Sequence, residues 1–244
     1  MRFVLVVVSL LVGAAPVLAQ SAWTDRVRVS VSAGPQTDTA LLSESIELRK
    51  YVEPAPVTAR TPSALVPFFD LGVAVRLAGN LGLGVAYSYV SDKGTADVAA
   101  DIPHPFYFNR RRAIAGQATG VRHTENAAHV DAVYLVVLPR LDVALSGGAS
   151  FIQVEQDFVA DVTFTESFPY DTAAFLSARL TRASASNTGY NAGVDLTWKV
   201  SRAWGVGGLV RFSRARVPLA ADGLDFGKVD AGGVQAGAGL RLIF

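Results

Sequence analysis

The feature that most constrains this chain is a two-residue alternation of apolar and polar side chains that recurs along most of its length. In one run, Leu83, Val85 and Tyr87 alternate with glycine, alanine and serine. Successive side chains of a β-strand point to opposite faces of a sheet, so the alternation predicts strands that separate two different environments. Eight such runs are present, at residues 25–33, 69–77, 81–89, 127–138, 141–151, 190–199, 204–212 and 231–244.

The connections between these runs alternate between long and short. An up-and-down antiparallel order places all long connections at one end of the sheet and all short turns at the other. The sequence therefore predicts an all-β fold, an eight-stranded antiparallel up-and-down barrel. The long connections are residues 34–67, 91–126, 154–188 and 214–230, and the short ones are residues 78–80, 139–140 and 200–202.

Composition excludes several classes of protein. Half of the residues are hydrophobic and 18% are charged, whereas soluble domains carry about 25% charged residues. The formal net charge is +1 and cysteine is absent. These values disfavour disorder, disulfide scaffolds, zinc sites and thiol chemistry, and they predict no nucleic-acid partner. No metal and no cofactor are predicted.

The N-terminal segment has the pattern of a secretory signal peptide. Arg2 is followed by an apolar run over residues 3–12, and Ala19 supplies a small residue at the cleavage position. The run is shorter than the roughly 20 residues that a membrane-spanning helix needs. We expect a signal peptide at residues 1–19 and a barrel domain at residues 20–244.

The polar face of the strands distinguishes two kinds of barrel. A soluble barrel of the lipocalin type turns its apolar face inward and its polar face to water. Here the polar face consists mainly of glycine, alanine and serine with isolated charges. Such a face suits a narrow, crowded lumen, so the sequence favours a barrel in a membrane over the soluble alternative.

Together, the signal peptide, the eight runs, the alternating connection lengths and the C-terminal segment 240–244 resemble the small bacterial outer-membrane β-barrels of the OmpA or OmpX type. The resemblance implies short periplasmic turns, long extracellular loops and a place in the bacterial outer membrane. It also implies contact with outer-membrane lipid and lipopolysaccharide, and a C-terminal Phe244 read by the barrel-assembly machinery. It leaves activity open. We expect a monomer.

Charged residues on the face that points into the barrel are expected to fill it. Eight strands enclose an interior that side chains can occupy, which forces such charges into contact. Asp142 and Asp195 are the expected partners of Arg28, Arg76 and Arg241 in the periplasmic half. The predicted lumenal charge network comprises Arg26, Arg28, Asp70, Arg76, Asp131, Asp142, Asp195, Lys199, Arg211 and Arg241.

No local sequence motif indicates a catalytic site. His129 shares a strand face with Asp131, and Ser88 on the neighbouring run is within possible reach. No motif supplies a nucleophile with an oriented base, so we predict a hydrogen-bonded lumenal histidine and no catalytic residues.

One basic patch in the second long connection is a candidate for lipopolysaccharide contact. Arg110, Arg111 and Arg112, together with Arg122, could pair with lipid phosphates through their guanidinium groups. Aromatic residues precede the arginines and could lie at the interface.

Two further predictions concern the shape of the barrel. Alternation continues beyond Phe151 to a turn near residues 168–171, which predicts a protruding hairpin. The apolar parity switches near residues 151–153, where a β-bulge is predicted. Aromatic residues near the strand ends are expected to mark the periplasmic interface (Trp198, Trp204 and Phe244) and the outer interface (Tyr87, Tyr89 and Phe212).

The function predicted from the sequence is a structural or surface-interaction role by a non-conducting barrel that is not an enzyme. Two alternatives stay open: a passive route for a small hydrophobic molecule, and a lipid-modifying enzyme.

Overall fold

The computed structural model describes residues 22–37, 43–62, 65–221 and 223–244, and the predicted signal peptide lies outside these ranges. The described residues contain no helix long and apolar enough to cross a membrane. Ten strands make up most of the described chain: β1 (Val27–Thr37), β2 (Ser43–Lys50), β3 (Glu53–Arg60), β4 (Leu65–Ala78), β5 (Leu81–Pro103), β6 (Arg111–Val137), β7 (Leu141–Glu166), β8 (Ala173–Lys199), β9 (Trp204–Ala221) and β10 (Leu224–Ile243).

Eight of these strands close into a ring. The ring runs β1-β4-β5-β6-β7-β8-β9-β10 and returns to β1, and every neighbouring pair is antiparallel. Closure pairs backbone groups around the ring, which is what a sheet needs in order to cross a bilayer. The predicted eight-stranded up-and-down barrel is confirmed.

The outer face of the lower barrel is apolar. Large side chains such as Leu83, Val130 and Leu240 are exposed there, while the residues between them face the lumen. A soluble protein does not expose a continuous belt of this kind. The ring is therefore a transmembrane β-barrel, and the soluble alternative, which needs the opposite facing, is wrong.

The first long connection contains a hairpin that the alternation analysis missed. β2 pairs with β3, and β3 pairs through Val57–Arg60 with the upper part of β5. Since β4 begins only at Leu65, the hairpin takes over the edge of β5 above the end of β4. The other long connections are largely extensions of the ring strands.

We call the part of the protein beyond the apolar belt the crown; it comprises β2, β3 and residues 91–122, 157–186 and 215–230. The facing of side chains is inverted there, with apolar residues inside and polar residues outside. One apolar cluster lies between the β2–β3 hairpin, β5, β6 and the upper part of β7, and includes Val57, Val98 and Val162. A second, including Ile152 and Leu219, fills the space between β7 and the β9–β10 hairpin.

A bulge at Gly120 produces the inversion on β6. Gly94 pairs with Val121 and Thr95 pairs with Thr119, which leaves Gly120 without a partner on β5. The φ angle of Gly120 is 81°, a conformation that glycine adopts at little cost. The extra residue exchanges the two faces, so that Ile114 points inward above the bulge although His129 does so below it.

The predicted bulge at residues 151–153 is wrong. The ladders of β7 with β6 and β8 run through these residues without a shift, and even-numbered residues point inward on both sides. Phe151 is exposed and Ile152 is buried. The apolar parity changes because the apolar surroundings move from the lipid outside to the crown core inside. The register shifts of this hairpin lie higher, between Val159 and Asp161 and between Thr163 and Phe164.

The protruding hairpin itself is confirmed, because β7 ends at Glu166 and β8 begins at Ala173. Pairing of β6 with β7 stops at His123 and Gln156, and pairing of β8 with β9 stops at Tyr190 and Arg214. The crown therefore consists of a four-stranded sheet (β2-β3-β5-β6) and the β7–β8 and β9–β10 hairpins.

Candidate functional site

The lower lumen holds several ion pairs. The carboxylate of Asp142 is fully buried and contacts the Arg28 guanidinium at 2.6 Å and the Lys199 ammonium at 2.9 Å. On the other side of the lumen, Nε of Arg241 donates to both carboxylate oxygens of Asp195, at 2.9 and 3.0 Å. Each of these three cations thus meets an acid inside the ring.

A chain of hydrogen bonds crosses the lumen above these pairs. The buried Asp70 carboxylate pairs with Arg211 and accepts a hydrogen bond from Ser88 Oγ at 2.7 Å. Ser88 Oγ lies 3.2 Å from His129 Nε2, and His129 Nδ1 lies 2.7 Å from Ser150 Oγ. Asn191 continues the chain by donating to Ser150 at 3.0 Å.

This chain has the residue types of a Ser-His-acid triad but not the order of one. In a triad, the acid orients the histidine from the nitrogen opposite the nucleophile. Here Asp70 binds the serine instead, and the far nitrogen of His129 meets a second serine. His129 is also fully buried. The arrangement links neighbouring strands along the inner wall and, through Arg211 and Asp70, joins β9 to β4 across the lumen.

Three members of the predicted lumenal network lie outside these pairs. Arg26 is exposed below the ring. Arg76 donates to the main-chain carbonyl of Trp23 and is not paired with Asp142 or Asp195. Asp131 is buried in the lumen, and its Oδ1 has no hydrogen-bond partner among the described residues.

Trp23 lies inside the periplasmic end of the ring and lines the lumen there. Its side chain is fully buried, and its main-chain N–H donates to Asn80 Oδ1 at 3.0 Å. The ring fits because Gly82 lacks a side chain: a Cβ at that position would lie 2.6 Å from the indole. The guanidinium of Arg28 lies 5.9 Å from the centre of the Trp23 ring. We call this N-terminal segment, which precedes β1 and places the indole in the ring, the plug.

A cavity of about 100 Å³ lies above the plug. The polar part of its wall comes mainly from Asp70, Asp131, Asp195 and the three arginines that pair with or lie near them. Most of the remaining wall is apolar, but the charged groups give a few water molecules hydrogen-bond partners in a space of this size. Toward the crown it is bounded by an apolar cluster that includes Phe68 and Leu209.

Glu125 centres a buried polar layer that sequence reasoning did not single out. Its carboxylate accepts from Gln36 Nε2 at 3.0 Å and from the N–H of Gly232 at 3.2 Å, and it lies 3.2 Å from His123 Nε2. Gln235 donates to Gln36 at 2.7 Å. Extending the inward parity of β6 back from His129 would have found Glu125.

At the outer end of the crown, three turns meet, and we call this region the tip: residues 51–52, 104–110 and 167–172. Arg112 is buried beneath them and binds the Glu166 carboxylate and the Tyr170 carbonyl. Tyr51 donates to the same carboxylate. Burial favours a raised pKa for Glu166, but the hydrogen bonds from Tyr51 and Arg112 outweigh it and lower the pKa below its ordinary value.

The four arginines predicted to contact lipopolysaccharide do not form one surface. Arg112 is buried in the tip, and Arg110 pairs with Asp171 at 2.8 Å. Arg111 is exposed at the start of β6, whereas Arg122 lies far down the same strand near the belt. The Gly120 bulge separates them and turns Arg112 inward, so Arg112 has no surface to offer a lipid.

The aromatic residues assigned to the two interfaces are exposed on the outer face. Phe244 is also exposed beside the first residues of β1, and its N–H donates to the carbonyl of Val27 at 2.9 Å. Its part in assembly stays a prediction.

Among the described residues, no group of three or more His, Asp or Glu side chains is placed to hold a metal ion. No protein-family model matches the chain. No curated protein matches it either.

Several solved structures are similar to the chain at low identity. Neisserial surface protein A has 12% identity and a TM-score of 0.46, over 92% of this chain and 100% of its own. The outer membrane protein OprG from Pseudomonas aeruginosa has 7% identity and a TM-score of 0.45, over 89% and 94%. The outer membrane protease OmpT from Escherichia coli has 10% identity and a TM-score of 0.47, over 92% and 98%.

The protein lies in the bacterial outer membrane. Its own architecture is the reason: a closed antiparallel ring with an even number of strands, short turns at one end and an apolar outer belt is the form that chains take in that membrane.

Proposed function

We propose that this protein is a non-conducting outer-membrane barrel whose crown presents an aromatic tip for contact with partners outside the cell. The observation that carries the proposal is the exposure of three phenylalanines at the tip: Phe106 is 72% exposed, Phe108 75% and Phe168 85%. Clustered exposed apolar side chains on a water-facing surface are typical of interaction sites.

The tip is built to hold these rings in place. Phe106 packs edge-on against Tyr170, with ring centres 5.4 Å apart, and Tyr170 contacts Phe168. The buried Arg112 joins the two turns from below through Glu166. A rigid surface loses less conformational entropy on binding than a mobile loop does.

Two features support the absence of conduction. The lower lumen contains paired charges and is closed by Trp23. The crown above it is filled by apolar clusters from all three of its sheets. The order of the groups around His129 supports the proposal that the protein has no enzymatic activity. Its further proposed partners are outer-membrane lipids and, during assembly, the machinery that inserts barrels.

Attachment of living cells tests the surface role. Cells displaying the wild type are compared with cells displaying the Phe106→Ser, Phe108→Ser, Phe168→Ser variant, in autoaggregation and in adherence to epithelial monolayers. We expect the variant to attach several-fold less at equal surface level. Leu176→Ser is the matched control, because Leu176 is 61% exposed on β8 and lies outside the three turns that form the tip.

Equal attachment by the wild type and the triple variant would contradict the role of the tip. Planar-bilayer recordings test the proposed absence of conduction. Steady large openings of the wild type would contradict a closed lumen.

A further inference from the structure

Two cations of like charge face each other across neighbouring strands just outside the apolar belt. Lys93 of β5 is the direct cross-strand partner of Arg122 of β6. Both side chains are exposed, and among the described residues neither forms an ion pair. Like charges directly opposite each other destabilise a sheet. An anion placed between the two would remove that repulsion.

The nearby acids do not supply this anion. Asp157, on the next strand, accepts the main-chain N–H of Arg122 at 3.2 Å. Its two carboxylate oxygens are bound by the Arg182 guanidinium, at 2.7 and 3.2 Å. Glu155, the other acid on this face of β7, lies opposite Thr124 and Ser184. The pair formed by Lys93 and Arg122 therefore keeps a net positive charge.

The depth of the pair matches the region of lipid headgroups. Tyr89 lies four residues before Lys93 on the same outward face and is exposed at the upper end of the belt. With a rise of about 3.4 Å per residue and a strand tilt of about 40°, Lys93 lies about 10 Å above Tyr89. Tyrosine rings mark the boundary between hydrocarbon and headgroups, so Lys93 lies on the headgroup side of this boundary, where basic residues attract anionic headgroups.

We propose that Lys93 and Arg122 together bind a phosphate group of an anionic lipid headgroup in the outer leaflet. Arg122 offers paired N–H donors to phosphate oxygens, and Lys93 supplies a second positive charge. Lipopolysaccharide and an anionic phospholipid share this chemistry as sources of the phosphate. The site lies at the base of the crown, far from the tip, and it does not depend on the proposed surface role of the tip.

Reversing the charge of one residue distinguishes binding at this site from a general electrostatic attraction between the protein and anionic lipid. Lys93→Glu replaces the like pair by an opposite pair, so in a neutral detergent without lipid the variant should unfold at a higher temperature than the wild type. Added lipopolysaccharide should raise the unfolding temperature of the wild type and leave that of Lys93→Glu nearly unchanged. Arg49→Glu, the same reversal at an exposed position of β2 opposite Pro54, should respond to lipopolysaccharide as the wild type does.

Lipid retention in native mass spectrometry gives the second readout. We expect Lys93→Gln/Arg122→Gln to weaken lipopolysaccharide binding at least tenfold, and these neutral changes keep the test valid if the charge reversal prevents folding. Separate arms use phosphatidylglycerol, phosphatidylcholine and inorganic phosphate. Binding of lipopolysaccharide alone, or of lipopolysaccharide and phosphatidylglycerol equally, supports the site and identifies its source.

Three results would overturn the proposal. The first is equal stabilisation of the wild type and Lys93→Glu by lipopolysaccharide. The second is stabilisation by phosphatidylcholine or inorganic phosphate as strong as that by the anionic lipids. The third is a Lys93→Glu variant that is folded but no more stable than the wild type without lipid, because the two cations would then not repel each other.

Discussion

Replacing Asp70 by alanine removes the anion that holds Arg211 inside the lumen. The side chains of Asp70 and Arg211 are 1% and 6% exposed. After the change, the guanidinium keeps Ser88 Oγ, at 3.1 Å, as a neutral neighbour. Leaving a buried charge without its partner costs about 3–5 kcal/mol. Because the adjoining cavity admits water, we expect the lower end of that range, about 3 kcal/mol.

Urea unfolding of the protein refolded into phospholipid vesicles measures this cost. For small proteins the free energy of unfolding falls by about 1–3 kcal/mol per molar urea, so a loss of about 3 kcal/mol lowers the midpoint by about 1–3 M. Asp70→Leu combined with Arg211→Met removes both charges together. We expect that variant to unfold close to the wild-type midpoint, because no unpaired charge is left.

A water-exposed pair provides the control. Asp230 pairs with Arg214 at 2.6 Å, but the two side chains are 35% and 42% exposed. Asp230→Ala should shift the midpoint far less than Asp70→Ala, because water solvates both arginines that Asp230 binds, Arg214 and Arg216. Shifts of equal, small size in the two variants would refute the reasoning that burial of the Arg211 charge determines the cost.

Three further predictions concern the plug, the tip and the bulge. Trp23→Ala should produce small, steady ion currents in planar bilayers where the wild type has none, and a silent variant would show that the plug is not the barrier. Tyr51 has a raised pKa, because it donates to Glu166 and is partly buried, so its phenol should titrate above about 10 in ultraviolet absorbance and return toward that value in Glu166→Gln. The lowered pKa of Glu166 means that its contribution to stability is present above the ordinary carboxyl pKa and is lost as the pH falls through the folded value, whereas that of Tyr51 is lost as the pH rises through its folded value. Gly120→Val forces a β-branched residue to a φ of 81°, at a cost of about 1–3 kcal/mol, and should speed amide exchange around Ile114; unchanged exchange would contradict the strain.

The ring strands were predictable because lipid imposes strict alternation on them. The crown was harder, since its strands face water outside and apolar neighbours inside. Near Phe151 this change of surroundings moves the apolar residues from odd to even positions, and a β-bulge would produce the same pattern in the sequence. In the missed hairpin, Ile46 and Leu48 do alternate with polar residues, but Pro54 and Pro56 argue against a strand.

The odd or even position of a residue along its strand predicts whether its side chain faces the lumen. It does not predict which residue that side chain pairs with. Parity places Asp142 and Arg76 in the lumen, yet which cation meets which acid depends on relative depth across the barrel. Arg76 turns to Trp23, which lies in a segment without alternation. Parity also fails beyond a bulge: counted from His129, Arg112 would face outward, and Gly120 turns it inward.

The inversion of apolar and polar faces between belt and crown sets how deep the protein lies in the bilayer. If the barrel sank by two residues, Lys93 and Arg122 would move toward hydrocarbon, and if it rose, Tyr87 and Tyr89 at the upper end of the belt would move toward water. Both displacements are unfavourable, so the height of the apolar belt matches one thickness of the hydrocarbon core. A bilayer thinner or thicker than the belt would then have to change its local thickness around the protein, or the barrel would have to tilt.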